Sequence, residues 1–257
     1  MNRAGAREVA FVPGFMQRAD VWRAVAERLP TRYRSTCLDP RAATFEGRLR
    51  EIERATEPGA VLVGYSLGGR LALHAALRAP KRYSALVLVG ASAGIEDEST
   101  RRKRRAADEE LAGWIEAHPI AKVVARWERL PIFATQSSAL RERQRRDRLR
   151  HDPRELAELL RTGGQGALEP VWDRLGEIAC PTLAIAGERD PVYAAAAERL
   201  AGLIPAGRAI LVQGVGHAPQ LEAPERIAAV LGEFLHEHLG DCGGVGGDAQ
   251  AGALRDG

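Results

Sequence analysis

Gly64-Tyr65-Ser66-Leu67-Gly68-Gly69-Arg70 (GYSLGGR, residues 64–70) sits between an apolar run and a helix-forming run. Val61-Leu62-Val63 reads as a buried strand that ends at Gly64, and Leu67 to Leu77 reads as a helix. Ser66 therefore falls on the sharp turn between strand and helix. Gly64 and Gly68 remove the Cβ atoms that would collide there, so the turn can hold Ser66 in a strained backbone conformation with its hydroxyl exposed. The pattern itself fixes three of five positions, and a glycine-rich turn with an incidental serine satisfies it too. The strand before it and the helix after it favour a nucleophile elbow.

An elbow of this kind needs an acid and a histidine downstream, in that order, each at the end of a strand. Thr182-Leu183-Ala184-Ile185-Ala186 closes at Gly187, and Asp190 follows in GERDPVY. Ala209-Ile210-Leu211-Val212 is followed by His217 in GVGHAPQLEAPE. Asp190 is expected to hold the His217 imidazole in one tautomer so that the ring takes a proton from Ser66. The competing groups fit less well. Asp39 ends a strand-like run but precedes Ser66, and the run Leu86 to Val89 ends in Gly90-Ala91-Ser92 without a carboxylate. For His74, His118, His151, His236 and His238 a solvated or packing role is expected.

Further strand-like runs occur at 8–12, 34–38 and 85–89, with helical patterns between them. Val21, Trp22, Val25 and Leu29 share one helical face, as do Ile227, Val230, Leu231, Phe234 and Leu235. Strands alternating with helices predict an α/β fold, a mostly parallel sheet with helices on both faces. With the ordered Ser, Asp and His, this is the α/β-hydrolase fold. The alternation stops between about residues 94 and 173, where charged helical segments replace strands. We expect a core of residues 1–93 and 174–239 and a helical cap, 94–173, inserted after the fold's sixth strand, whose inward residues choose the substrate. The tail, 240–257, has little to bury and is expected to be disordered.

At 257 residues with 45% apolar composition, the chain can bury a large core. It has no apolar stretch long enough to span a membrane, and Met1 to Glu8 lacks the apolar segment of a signal peptide. A cytoplasmic enzyme is expected. Cys37, Cys180 and Cys242 are odd in number and widely spaced, which predicts free thiols rather than disulfides or a metal site. A net charge of +3 is too small to imply nucleic-acid binding. The basic cluster Arg101 to Arg105 reads as a solvated helix face, because the stretch from Glu96 to Glu110 carries five basic and six acidic residues.

The elbow GYSLGGR, the stretch GASAGIEDESTRRKRRAADEEL and the stretch ARWERLPIFATQ together resemble one family, the 2-succinyl-6-hydroxy-2,4-cyclohexadiene-1-carboxylate synthases of menaquinone biosynthesis, across about Glu8 to Leu239. Members eliminate pyruvate from a cyclohexene polycarboxylate. Residue by residue, the resemblance implies Ser66, Asp190 and His217 as the triad and Tyr65, Arg70, Arg104, Trp127 and Arg148 as substrate-binding positions. It also implies the backbone amides of Phe15 and Leu67 as oxyanion donors, a small anionic substrate, and neither metal nor cofactor. Three converging arginines suit a polycarboxylate, since guanidinium forks grip carboxylates through paired hydrogen bonds.

Two stretches depart from the family's usual pattern. Pro13-Gly14-Phe15 replaces a His-Gly-Phe stretch, and Asp39-Pro40-Arg41-Ala42-Ala43 replaces a loop with proline, glycine and histidine. The first leaves the Phe15 amide in place. The second alters the loop beside the site and bears on substrate identity. A hydrolase of a small ester or thioester would use the same triad, and a ligand receptor could share the fold without needing all three residues.

Overall fold

The computed structural model describes residues 6–240. Most of the expected tail, with Cys242, lies outside them. The sheet is built of β1 (Arg7–Val12), β2 (Tyr33–Cys37), β3 (Val61–Tyr65), β4 (Ala85–Val89), β5 (Thr182–Gly187) and β6 (Gly207–Val212). All pairings are parallel, in the order β2-β1-β3-β4-β5-β6. Every residue of β3, β4 and β5 is buried, the continuous apolar run expected of strands covered on both faces. The edge strands β2 and β6 are only partly buried.

The helices of the core are α1 (Arg23–Ala26), α2 (Phe45–Ala55), α3 (Leu67–Arg78), α8 (Pro191–Leu203), α9 (Pro219–Glu222) and α10 (Pro224–Leu239). They divide the apolar residues into two cores. One face holds Leu62, Leu86 and Ala184 against Leu71, Leu73 and Leu200. The other holds Val63, Val87 and Ile185 against Trp22, Ile227, Leu231 and Phe234. The apolar face read near residue 21 is buried as expected, although it spans a 3-10 turn (Ala19–Trp22) and the one-turn α1 rather than one long helix.

Between β4 and β5 the chain forms α4 (Glu98–Glu116), α5 (Ile120–Trp127), α6 (Ser138–Arg148) and α7 (Pro153–Gly163). Asp97, Ser137 and Asp152 cap α4, α6 and α7 by accepting from Thr100, Leu140 and Arg154 amides. This segment follows the fourth strand of this chain, where the fold's sixth strand was expected. The described residues supply six strands only, with β2 at the sheet edge. A third apolar cluster joins Ile115, Val123, Val124, Leu156 and Leu160 of these helices to Met16, with Phe15 and Trp127 packed against it. The helical segment thus grips the loop after β1.

Cys37 and Cys180 are free thiols. Among the described residues no helix is long and apolar enough to cross a membrane.

Candidate active site

β1 and β3 are neighbours, with Val12 opposite Gly64, and the strand order reverses around them. That switch point puts the loop after β1 beside the turn after β3, the crevice where open α/β sheets collect ligands. Ser66 sits there with φ of 51°, one of two non-glycine residues with positive φ among the described residues; the other is Met16, at 55°. Both values store backbone strain, one in the loop after β1 and one in the turn after β3. The glycines account for the close approach. A Cβ on Gly64 would lie 2.2 Å from the Gly68 carbonyl oxygen, and one on Gly68 would lie 2.4 Å from the carbonyl oxygens of both Val12 and Pro13. Gly64→Ala is therefore expected to cost about 3 kcal/mol or more, since the colliding partner is backbone that cannot rotate away. A urea midpoint equal to that of the parent would refute this account of the turn.

His217 follows β6 and Asp190 caps α8 just beyond β5. His217 Nδ1 lies 2.6 Å from Asp190 Oδ2, and His217 Nε2 lies 3.4 Å from Ser66 Oγ. The first contact fixes the tautomer, with Nδ1–H donating to the carboxylate and Nε2 facing the serine. The second is long, as hydrogen bonds in ligand-free sites often are. The imidazole lies between Tyr193, at 4.5 Å between ring centroids, and Tyr65, at 5.4 Å. Glu222 ties down the loop that carries His217 by accepting from the amides of Gly216 and Ala218, at 3.0 and 3.3 Å.

Leu67 follows the serine and Phe15 lies in the loop after β1, and neither amide donates to any turn or loop backbone acceptor among the described residues. Leu67 is the first residue of α3, so its N–H also lacks an intrahelical acceptor. Gln17 holds the loop of Phe15, its Oε1 accepting from the Gly14 amide at 3.1 Å.

A cavity of about 650 Å3 opens beneath the helical segment, lined in part by His217, Asp190, Tyr193, Arg104 and Trp127. Trp127 packs on Phe15 with ring centroids 5.0 Å apart. Arg104 donates from Nε to Asp108 at 2.8 Å and from Nη1 to Gln165 at 3.1 Å, while Gln165 Nε2 donates to the Tyr193 hydroxyl at 2.6 Å. A polar chain thus runs from Asp108 to the ring that covers His217.

Ser66, Tyr65, Arg70 and Arg148 are not among the residues that line that cavity. Tyr65 is buried, its hydroxyl held protonated far above the usual tyrosine range by desolvation. Arg70, on the first turn of α3, is 8% exposed, and its Nε and Nη1 have no hydrogen-bond partner among the described residues. Burial, opposed by the Tyr193 hydroxyl and reinforced by Arg104, lowers its pKa to about 10. Arg148 is 2% exposed, with its guanidinium 4.8 Å from the Phe133 ring centroid and Nη1 3.5 Å from Glu128 Oε1. Its Nε is unpartnered as well. Of the three expected arginines, Arg70 and Arg148 are buried with donors left open, and Arg104 is the exposed one.

Tyr193, Gln165 and Glu222 were not among the expected site residues. Tyr193 could have been found as the residue one helical turn past Asp190, on the same side of α8. Gln165 and Glu222 carry no local pattern that marks them.

The remaining histidines pack or stay apart. His118 Nδ1–H donates to the Trp114 carbonyl at 2.7 Å and the imidazole stacks on the Trp114 ring, and His74 meets Phe45 edge-on at 5.1 Å. Burial first, then Arg70, lowers the His74 pKa to about 4, and burial with nearby arginines lowers that of His151 to about 4. Both stay neutral in the native state while the unfolded chain takes up protons below about pH 6.5. Stability is therefore lost as pH falls from about 6.5 toward about 4. Urea titrations at about pH 7 and about pH 4.5 should show a smaller acid loss for His74→Asn than for the parent; equal losses would contradict the assignment.

The match to known proteins follows this geometry. The model of the Alpha/beta hydrolase family matches residues 9–230. The 2-succinyl-6-hydroxy-2,4-cyclohexadiene-1-carboxylate synthase of Salmonella paratyphi C (strain RKS4594) is 27% identical over 246 residues, 91% of this chain and 96% of that protein. A Bacillus subtilis (strain 168) protein provisionally given the same name is 36% identical over 177 residues, 68% of this chain and 65% of its own length. Among solved structures, MenH from S. aureus is 28% identical with a TM-score of 0.87, covering 93% of this chain and 96% of that one. The chain belongs to the Alpha/beta hydrolase family, and it is an enzyme of the lyase kind that its synthase-named relatives form within that superfamily.

Proposed function

We propose that this enzyme eliminates pyruvate from a cyclohexene polycarboxylate to give 2-succinyl-6-hydroxy-2,4-cyclohexadiene-1-carboxylate in menaquinone biosynthesis, with Ser66, His217 and Asp190 as its triad. The observation that carries this reading is a pair of buried guanidinium groups with open donors: Arg70, four residues past Ser66 on α3, with Nε and Nη1 unpartnered, and Arg148, with Nε unpartnered. A buried guanidinium with unfilled donors is costly, and a substrate carboxylate supplies both the charge and the paired acceptors. A neutral ester supplies neither, which disfavours hydrolysis of such esters.

The chemistry asks for a base and a place for negative charge. His217 Nε2 accepts the Ser66 proton, Asp190 stabilises the resulting imidazolium, and Ser66 Oγ takes the carbon-bound proton of the substrate. The electron pair left behind forms the new ring double bond as the carbon–oxygen bond to pyruvate breaks, and pyruvate leaves as its enolate and is then protonated. Negative charge that develops on a substrate carbonyl is held by the amides of Phe15 and Leu67. Residues 94–173 act as the cap, bringing Arg104, Trp127 and Arg148 over the ring while Arg70 and Tyr65 approach from the serine turn. The direct test is to supply the purified enzyme with the pathway's pyruvate-bearing intermediate. Release of pyruvate is expected. No release, alongside efficient hydrolysis of a neutral ester, would move the assignment to an esterase.

A further inference from the structure

A second cavity, about 50 Å3, shares no lining residue with the first. Pro13 and Gly14 form part of its wall, with Leu67 and Leu71 of α3, Arg48 of α2 and His151 just before α7. It therefore abuts both segments whose amides are expected to hold the oxyanion. Its rim includes Asp39, Pro40 and Arg41, so the two stretches in which this chain departs from the family pattern meet at this one place.

Two polar groups in its wall are left open. Arg48 is 4% exposed, and its Nε and Nη1 are buried without a hydrogen-bond partner among the described residues. His151 Nε2 is buried and unpartnered too. The carboxylates around them are engaged elsewhere. Glu51 Oε2 accepts from the amides of Arg41 and Ala42, at 2.7 and 3.0 Å. Glu155 pairs with Arg41 at 3.4 Å, and Asp39 pairs with Arg41 and Arg18 at 3.1 and 3.7 Å. Glu51, Glu155 and Glu158 influence the Arg48 charge through space only. Apart from Gln17, whose Oε1 is taken by the Gly14 amide, the remaining wall of Met16, Leu67, Leu71, Leu156 and Leu159 is apolar, which strengthens any charge interaction inside. The volume admits a carboxylate or a few waters, since a water needs about 10–15 Å3, and it excludes a ring.

We propose that this pocket is a second anion subsite, in which one carboxylate is gripped by Arg48 and accepts a hydrogen bond from His151 Nε2. The carboxylate comes from an arm of the substrate or from a free small carboxylic acid. Only the first source rests on the reaction proposed above.

Arg48→Met tests the subsite, because it keeps the bulk and removes the charge. With acetate as probe, the parent should melt at a higher temperature, and Arg70→Met should keep a clear part of that shift while Arg48→Met loses it. Acetate affinity should fall about tenfold in Arg48→Met and be partly retained in Arg48→Lys. Without acetate, Arg48→Met should melt at or above the parent temperature, because an unpaired buried cation has been replaced by an apolar side chain. A lower melting temperature with an unchanged acetate shift would make Arg48 a structural residue and overturn the proposal. So would a parent that does not respond to acetate, which would leave the pocket to water.

Kinetics then separate the two sources. For a substrate arm, Arg48→Met raises KM for the pyruvate-bearing intermediate about tenfold, with kcat little changed, and acetate competes with that substrate. For a free acid, acetate changes kcat and does not compete. If the intermediate proves not to be a substrate, the acetate titrations still decide whether the subsite exists.

Discussion

Ser66→Ala is expected to lower turnover by about a thousandfold or more while the protein folds as before. Ser66 N–H donates to the Val89 carbonyl at 2.8 Å, and the Arg70 amide donates to the Ser66 carbonyl at 3.0 Å. Both bonds belong to the backbone and survive loss of the hydroxyl. His217 loses only a 3.4 Å contact and keeps Asp190 at 2.6 Å. His217→Ala should cause a loss of similar size, and the double variant should be little worse than either, because the two groups move one proton between them. Circular dichroism and urea midpoints report the fold, and progress curves report turnover. Parent-like rates in folded Ser66→Ala protein would remove the triad from the reaction, and unimpaired ligand binding with no reaction ever found for the parent would favour a receptor.

Arg70→Ala and Arg148→Ala carry the second large effect. Each removes open donors from a buried position, and a hydrogen bond to a charged group contributes about 1.5–3 kcal/mol. Turnover of the anionic substrate should fall by at least about tenfold, the equivalent of about 1.4 kcal/mol, and a lost paired contact could take it to about a hundredfold. Arg104→Ala should lie at the lower end. Its side chain is 44% exposed and already paired with Asp108, so its contribution is screened by water. Steady-state kinetics on the pyruvate-bearing intermediate, in parallel with a neutral ester, give the comparison. Losses confined to the anionic substrate support carboxylate recognition. Equal losses on both substrates, or no loss in any of the three, would contradict it.

The sheet and its serine turn were legible because the rules behind them are local. Val61 to Val63 run into Gly64, where the turn's own backbone leaves no space for a Cβ; the crowding at Gly68 comes instead from the Val12 and Pro13 carbonyls across the sheet. The order of Ser66, Asp190 and His217 carried the rest, since strands that end at one edge of a parallel sheet deliver their loops to one crevice. The helical segment was legible as helices but not as a surface. Arg148 is one of seven arginines between Arg141 and Arg154, and no period in that stretch says which of them is buried. Its burial against Phe133 and Glu128 depends on how α6 meets the segment after α5, a tertiary fact. Gln165 and Glu222 belong to the same class, acting through partners 28 residues away and across a loop turn. His151 shows the limit in another form: its neighbours Arg150 and Asp152 suggest solvent, yet one ring nitrogen is enclosed.

The intact mass of the enzyme during turnover, measured alongside its products, decides whether Ser66 acts as a base or as a nucleophile. A Ser66 base leaves the protein unmodified at saturating substrate, with pyruvate and the ring diene formed in equal amounts. A covalent adduct on Ser66 whose decay requires water would contradict it.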